Sequence, residues 1–158
     1  MKKIIIYISI IIVLLLGIFF YLNNKKEKFY LEDKYYQTSK YIEGDSNTIN
    51  KLQEDKESYI LFTYLPYCTF EIPCDEVFKE FMDKYNISFY YIPFDEVKKS
   101  NLKDTVKYAP SVVLVNNGKV VSYLSADKDE DYNKYQSAEE FESWISKYIY
   151  LSKGEYNG

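Results

Sequence analysis

Residues 59–74 of this chain read YILFTYLPYCTFEIPC, and this stretch decides the fold. It opens with an almost entirely apolar run, which is typical of a β-strand that is buried on both faces of a sheet. The two cysteines of the chain, Cys68 and Cys74, follow this run closely. From Cys74 onward the apolar residues have the spacing of an amphipathic helix; they are Val77, Phe78, Phe81, Met82 and Tyr85. The stretch therefore predicts a buried strand, a cysteine-bearing loop and a helix.

Further strands and helices are predicted by apolar spacing on both sides of this stretch. They are a short strand at residues 35–42, a helix from residue 46 to about residue 56, a strand at residues 87–92 and a helix at residues 95–108. The first of these helices follows Asp45 and Ser46, and either side chain can cap it.

A hairpin and a terminal helix complete the predicted domain. Two β-rich runs, at residues 111–115 and 119–124, are joined by Asn116-Asn117-Gly118, and Asn-Gly supplies the positive φ angles of a tight antiparallel hairpin. Further on, Ser137 and Glu140 have the spacing of a capping box. The helix that they introduce carries Phe141, Trp144, Ile145 and Tyr148.

The predicted order of elements is therefore β α β α β α β β α. Parallel strands joined by crossover helices, followed by a hairpin and a last helix, form a mixed sheet that is covered by helices on both faces. The predicted fold class is α/β.

The amino-terminal segment at residues 4–22 reads IIIYISIIIVLLLGIFFYL and carries no formal charge. As a helix it would span about 28 Å, close to the roughly 30 Å of a bilayer core. No small-residue cleavage site follows it, so we expect one transmembrane helix that is retained as a signal anchor. We favour the orientation that places the folded domain outside the cytoplasm, in a compartment that permits disulfides.

The expected division of the chain follows from these patterns. It comprises a short cytoplasmic tail at residues 1–3, the transmembrane anchor at 4–22, a juxtamembrane stalk with a possible first strand at 23–45, the folded domain at 46–150 and a C-terminal tail at 151–158.

Composition excludes several function classes. The chain has a net charge of -4 and no arginine, which is unlike a nucleic-acid-binding protein, so we expect no nucleic-acid partner. It has no histidine, which removes imidazole-based nucleophile pairs and metal sites. We expect no cofactor and no metal, with Cu(I) held between the two cysteines as a minor alternative. The acidic run at residues 127–131 lacks the glycine and glutamate of a calcium loop and predicts a solvated loop.

A strand followed by Tyr67-Cys68, then a helix, then Ala109-Pro110 before a hairpin that carries Asn-Gly-Lys resembles the thioredoxin fold. The resemblance covers roughly residues 46–150. With its amino-terminal anchor, the chain looks like the bacteriocin transport accessory group of small bacterial thioredoxin-like proteins. The resemblance implies a thiol–disulfide oxidoreductase that acts on thiols and disulfides of secreted or surface proteins and works with a redox partner protein.

The resemblance also implies roles for particular residues. Cys68 would be the nucleophile, and Pro110 would be a cis-proline that faces the active site. Tyr67 stands where a tryptophan is common in the family, and Glu71 occupies the position of the family's second cysteine. Together with Ala109, which would leave the site open, Tyr67 and Glu71 are expected to border the substrate groove.

The second cysteine of this chain is Cys74, which gives the spacing C-x5-C. A regular helix over residues 68–74 would separate the two Cα atoms by about 10 Å, whereas a disulfide needs less than about 7 Å. Pro73 disfavours a helical residue before it and is itself favoured at a first helical position. We therefore expect the helix to begin at Pro73, after a loop that lets the sulfurs meet.

Three interpretations of the cysteines remain open. They can be a redox pair in which Cys68 attacks and Cys74 resolves, which is the hypothesis we favour. They can form a permanent disulfide worth roughly 2 kcal/mol. Alternatively, Cys74 is a small buried residue of the apolar stripe. Glu71, Asp75 and Glu76 add negative charge here, which disfavours the thiolate form of Cys68 and favours a modest or reducing role.

Overall fold

The computed structural model describes residues 27–66 and 70–154 of the chain. Its centre is a five-stranded sheet with the order β1-β3-β2-β4-β5. The strands are β1 (Tyr41–Glu43), β2 (Tyr59–Tyr64), β3 (Phe89–Pro93), β4 (Ser111–Asn116) and β5 (Lys119–Ser125). Strands β1, β3 and β2 are parallel, whereas β4 and β5 run antiparallel to them and to each other as a hairpin. The predicted mixed sheet is confirmed.

In the described parts of the chain, four α-helices cover the two faces of this sheet. They are α1 (Ser46–Glu54), α2 (Cys74–Tyr85), α3 (Phe94–Val97) and α4 (Ala138–Ile145). Helices α2 and α4 pack on the face that presents Phe62 and Phe89, because both rings contact aromatic side chains of these helices. Helices α1 and α3 contact each other on the opposite face. Buried aliphatic and aromatic side chains fill both layers.

The local signals of the hairpin and of two helix starts are confirmed. Asn117 and Gly118 have φ angles of 49° and 72°, as a tight hairpin between β4 and β5 requires. The side chain of Asp45 accepts a hydrogen bond from the backbone N–H of Thr48 at the start of α1. The side chain of Ser137 accepts one from the backbone N–H of Glu140 at the start of α4.

The helix predicted over residues 95–108 is wrong, because only Phe94–Val97 is helical and turns follow. The hydroxyl of Ser100 donates to the backbone carbonyl of Val97 and accepts from the backbone N–H of Leu102. These bonds replace the backbone bonds that would continue a helix. The apolar residues behind the prediction are nevertheless buried; they are Val97, Leu102 and Val106.

The amino-terminal part of the described chain differs from the predicted stalk and first strand. The strand is limited to Tyr41–Glu43, and Asp33–Tyr35 forms a short 3-10 helix. Phe29 forms a parallel bridge with Ile149, and Leu31 is buried in the core. Apolar residues within a charged segment thus pack against the C-terminal end of the chain, so the folded domain begins before residue 46.

Within residues 27–66 and 70–154, no helix combines the length and the apolar character that crossing a membrane requires. The predicted anchor at residues 4–22 and the tail at residues 1–3 lie outside the described residues, as do residues 155–158.

The hairpin turn yields a stability prediction. A Cβ atom on Gly118 would lie 2.5 Å from the backbone oxygen of Gln53, and its positive φ disfavours any L side chain. We therefore expect Gly118→Ala to lower the free energy of unfolding by about 1–3 kcal/mol, as measured by urea denaturation. Gly154→Ala is the matched control, because a Cβ there meets nothing within 4 Å. Equal stability of the two variants would contradict this account.

Candidate functional site

The segment between β2 and α2, residues 65–73, contains Cys68, and we call it the cysteine loop. The directions of the strands bring this loop and the Ala109-Pro110 bond to one end of the sheet. Strands β2 and β3 are parallel, so their carboxyl ends lie at the same edge. Strand β4 is antiparallel to β2 and begins there, because Ser111 pairs with Thr63. Pro110 therefore precedes β4 at the point where β2 ends, and the cysteine loop leaves β2 at that same point.

Cys74 is the first residue of α2 and is 2% exposed. It borders a cavity of about 40 Å³, which has room for little more than one water molecule. The cavity is lined by Phe62, Tyr64, Leu65, Cys74, Asp75, Tyr91 and Pro110. Backbone N–H groups at a helix amino terminus favour the thiolate form of a cysteine, whereas acidic residues in the same turn oppose it. The structure thus brings Cys74 and Pro110 to the same cavity.

The segment that precedes Cys74 is not helical. Residues 70–72 form bends, and Pro73 is the N-cap of α2 with φ -55° and ψ 121°. The prediction that the helix begins at Pro73 is therefore wrong by one residue, because this ψ angle is extended rather than helical. The expected loop is present in its described part, so a continuous helix over residues 68–74 is excluded. Tyr67 and Cys68 themselves lie outside the described residues, and the pairing of Cys68 with Cys74 stays a prediction.

The Ala109-Pro110 peptide bond is cis, as the resemblance implied. Both residues are half-buried. The carbonyl oxygen of Pro110 accepts two hydrogen bonds, at 3.0 Å from the hydroxyl of Tyr135 and at 3.2 Å from the backbone N–H of Ala126. The chain that follows β5 therefore holds Pro110 in place.

A 3-10 helix, Asp129–Tyr135, connects β5 to α4 and braces the cysteine loop. The ring of Tyr135 stacks on Phe70 of that loop, with centroids 5.3 Å apart and planes inclined by 7°. The amide of Gln136 donates to the backbone carbonyl of Ile72 and accepts from its backbone N–H, each at 3.0 Å. Tyr135 and Gln136 thus connect the cysteine loop to Pro110.

This brace was not predicted from the sequence, and the prediction that the acidic run is solvated is wrong for Asp131. This carboxylate is buried, accepts from the backbone N–H of Ser125 at 3.1 Å and pairs with Lys134 at 2.8 Å. A local signal was present for the 3-10 helix but not for its contacts, because Tyr132 and Tyr135 have the three-residue spacing of one 3-10 turn.

Two phenols near Cys74, the buried Tyr135 and the half-buried Tyr41, remain protonated. Burial raises the pKa of Tyr135 well above its ordinary value, and the negative charge of Asp131 raises it further. Burial also raises the pKa of Tyr41, followed by the charge of Asp75. The Tyr41 hydroxyl donates to the backbone carbonyl of Asp75 at 2.7 Å. Both tyrosines therefore act near the thiol as hydrogen-bond donors over the physiological pH range.

Glu71 is exposed and lies in the loop before Cys74, where the groove was expected. Among the described residues, no group of three or more histidine, cysteine, aspartate or glutamate side chains could hold a metal ion.

Comparisons with known proteins support the fold. No family model and no curated protein sequence matches the chain. A thioredoxin structure from Schistosoma mansoni is similar, with 23% identity, a TM-score of 0.50 and coverage of 72% of this chain and 99% of that one. Thioredoxin O2 from Arabidopsis thaliana, in the oxidised state, has 15% identity and a TM-score of 0.47, covering 69% of this chain and 93% of its own. The likeness to the schistosome protein shows that this chain has a thioredoxin-like α/β fold.

The bond between Tyr135 and Pro110 yields a second prediction. Tyr135→Phe removes one of the two donors to the Pro110 carbonyl, so we expect a loss of about 0.5–1.5 kcal/mol in the free energy of unfolding. Tyr132→Phe removes an exposed hydroxyl from the same 3-10 helix and should change stability little. The measurement is urea denaturation, and an equal loss in both variants would argue against a specific role for the buried hydroxyl.

The hydrogen bonds between Gln136 and Ile72 yield a third prediction. Gln136→Ala removes the acceptor of the Ile72 backbone N–H, so we expect this amide to exchange with deuterium several-fold faster. Asn133→Ala, which removes an exposed side chain from the same 3-10 helix, is the control. An unchanged rate of amide exchange at Ile72 in Gln136→Ala would show that these hydrogen bonds do not hold the cysteine loop.

Proposed function

We propose that this protein is a membrane-anchored thiol–disulfide oxidoreductase whose thioredoxin-like domain acts on thiols and disulfides of secreted or surface proteins. One observation carries the proposal: Cys74 begins a helix beside the cis-proline Pro110, directly after a loop that is not helical. In this proposal, Cys68, which precedes that loop in the sequence, approaches Cys74.

The burial of Cys74 indicates which of the two cysteines attacks the partner. A thiol that is 2% exposed cannot attack a disulfide in another protein, so Cys74 acts as the resolving thiol. Cys68 is then the attacking thiol. In the proposed groove, Tyr67, Ala109 and Glu71 lie around the incoming chain, and Pro110 shapes its floor.

The proposed thiol–disulfide exchange needs no cofactor and no metal. The Cys68 thiolate attacks one sulfur of a partner disulfide, which forms a mixed disulfide and releases the partner's other sulfur as a thiolate that takes up a proton. The Cys74 thiolate then attacks the sulfur of Cys68 and releases the second partner thiol. Two electrons pass to the partner, and the Cys68–Cys74 pair is left as a disulfide. A dithiol protein restores the reduced pair, and the reverse sequence oxidises a partner dithiol.

The anchor and the site lie at different ends of the sheet in this proposal. The backbone N–H of Glu32 donates to the carbonyl of Ser58, which directly precedes β2, whereas the cysteine loop follows β2. The six residues of β2 span about 20 Å between these ends. A transmembrane helix at residues 4–22 would therefore join the domain at the end remote from Pro110. The site would face away from the bilayer, outside the cytoplasm.

A second candidate function is a redox-inactive interaction module with the same fold and anchor. The near-complete burial of Cys74 favours it, because a small buried cysteine can serve packing alone. In this alternative, Cys68 either acts alone or forms a permanent disulfide with Cys74.

The two candidates differ in an insulin-reduction assay with the full chain in a zwitterionic detergent and dithiothreitol as the reductant. We expect the wild type to accelerate reduction and Cys68→Ser to abolish this acceleration. Cys74→Ser should lower turnover at least about tenfold, because the resolving thiol is missing. The same variant, reduced, freed of dithiothreitol and then mixed with insulin, should accumulate a mixed disulfide at Cys68.

Intact-mass analysis detects the trapped species, and the double variant without cysteines is the control for both readouts. Wild-type turnover no higher than that of the double variant, together with no trapped species, would favour the interaction module.

A further inference from the structure

Four exposed apolar side chains surround the candidate site. They are Leu65, Ile72, Tyr108 and Tyr132, with exposed fractions of 43%, 42%, 54% and 45%, and we call them the apolar rim. Leu65 lines the cavity with Cys74, and Ile72 lies in the loop before Cys74. Tyr108 directly precedes Ala109-Pro110. Exposed apolar residues that gather at one place on a protein surface mark a binding site.

The side chain of Tyr132, one member of the apolar rim, is held in place by its neighbours. Its ring contacts Phe70 of the cysteine loop at a centroid distance of 5.5 Å. Its neighbour Asp131 is buried and hydrogen-bonded, and Tyr135, one 3-10 turn later, is fully buried. An exposed aromatic ring on a fixed backbone binds a partner with little loss of conformational entropy.

Negatively charged side chains lie in the same segments of the chain as the apolar rim or next to them. Exposed carboxylates lie in the cysteine loop, the first turn of α2 and the 3-10 helix; they are Glu71, Glu76, Asp129 and Glu130. Within the described parts of the chain, none of these four forms an ion pair. Lys134 of the 3-10 helix is already paired with Asp131, and Lys128, which precedes Asp129, lies over the ring of Tyr123. The four carboxylates therefore outnumber the one lysine beside them that is in no ion pair, and the surface carries excess negative charge.

We propose that this surface selects its substrates: it binds an extended polypeptide segment in which an aromatic or aliphatic residue and a lysine or arginine lie next to the reactive cysteine. The apolar side chain packs in the rim, and the cation pairs with the carboxylates and lies over the ring of Tyr132. This inference rests on the proposed function, because the bound cysteine is the one that exchanges with Cys68. The same carboxylates would repel an anionic lipid surface, so the partner is a polypeptide.

The test uses the full chain in a zwitterionic detergent and three fluorescent peptides of equal length in which serine replaces cysteine, so that binding is separated from exchange. One peptide carries Lys-Phe beside the serine, one Glu-Phe and one Lys-Ser. We expect the Lys-Phe peptide to bind at least about tenfold more tightly than either of the others, with an affinity that falls as salt is raised.

Variants locate the binding surface. Glu130→Lys and Tyr132→Ser should each weaken binding of the Lys-Phe peptide about fivefold or more. The matched controls are Glu54→Lys, which reverses an exposed charge on α1, and Val121→Ser, which removes an exposed apolar side chain from β5. Both controls should bind like the wild type. No detectable binding, equal binding of the Glu-Phe peptide, or an equal loss in the controls would overturn the inference.

A parallel assay separates this inference from the proposed function. Exchange of the wild type with hydroxyethyl disulfide, a small uncharged substrate, reports the thiols alone; it should be lost in Cys68→Ser and should persist in the control variants Glu54→Lys and Val121→Ser. If exchange persists but the peptides are not discriminated, the oxidoreductase stands and the substrate preference fails. If the peptides are discriminated but no Cys68-dependent exchange occurs, the surface binds the proposed segment and the oxidoreductase fails.

Discussion

The antiparallel pairing of β4 with β2 is the constraint on which the site depends. Because Ser111 lies opposite Thr63, the chain must enter β4 at the end of the sheet where β2 releases the cysteine loop. The hairpin then returns β5 to the same end, where Ser125 pairs with Ser111. Three loops that are distant in the sequence therefore meet at one edge, and the contacts around Cys74 follow from that meeting.

Contacts between these loops keep the cysteine loop out of a helical conformation. Pro73 has an extended ψ angle at the N-cap of α2, and Gln136 makes hydrogen bonds with both backbone groups of Ile72, which therefore do not form helical bonds. Tyr135 adds a ring stacked on Phe70 and a hydroxyl bound to the Pro110 carbonyl. The 3-10 helix after β5 is thus part of the site, and it presents Tyr132 beside the cysteine loop. Positioning and substrate binding are assigned to one short segment.

The elements with strong local signals could be predicted from the sequence. The apolar run of β2, the stripe on α2 and the Asn-Gly turn each depend on neighbouring residues, and the structure has all three. Elements that depend on distant partners could not be predicted. Ser100 replaces helical bonds after α3, and Phe29 packs on Ile149 at the far end of the chain.

The residues of the candidate site also divide into those that local sequence patterns predict and those that depend on distant contacts. Cys74 at a helix start and the cis bond at Pro110 were expected from a loop-and-helix pattern and from a family resemblance. The roles of Tyr135 and Gln136 depend on contacts across more than sixty residues with Phe70 and Ile72, and no local pattern encodes such contacts.

The proposed oxidoreductase requires Cys68 and Cys74 to exchange electrons with a partner. This requirement is tested by the redox equilibrium of the full chain against glutathione buffers, with the fraction of disulfide measured by alkylation and intact mass. We expect a potential between about -120 and -270 mV. A value below about -300 mV, or no disulfide under any buffer, would show that the pair does not exchange electrons.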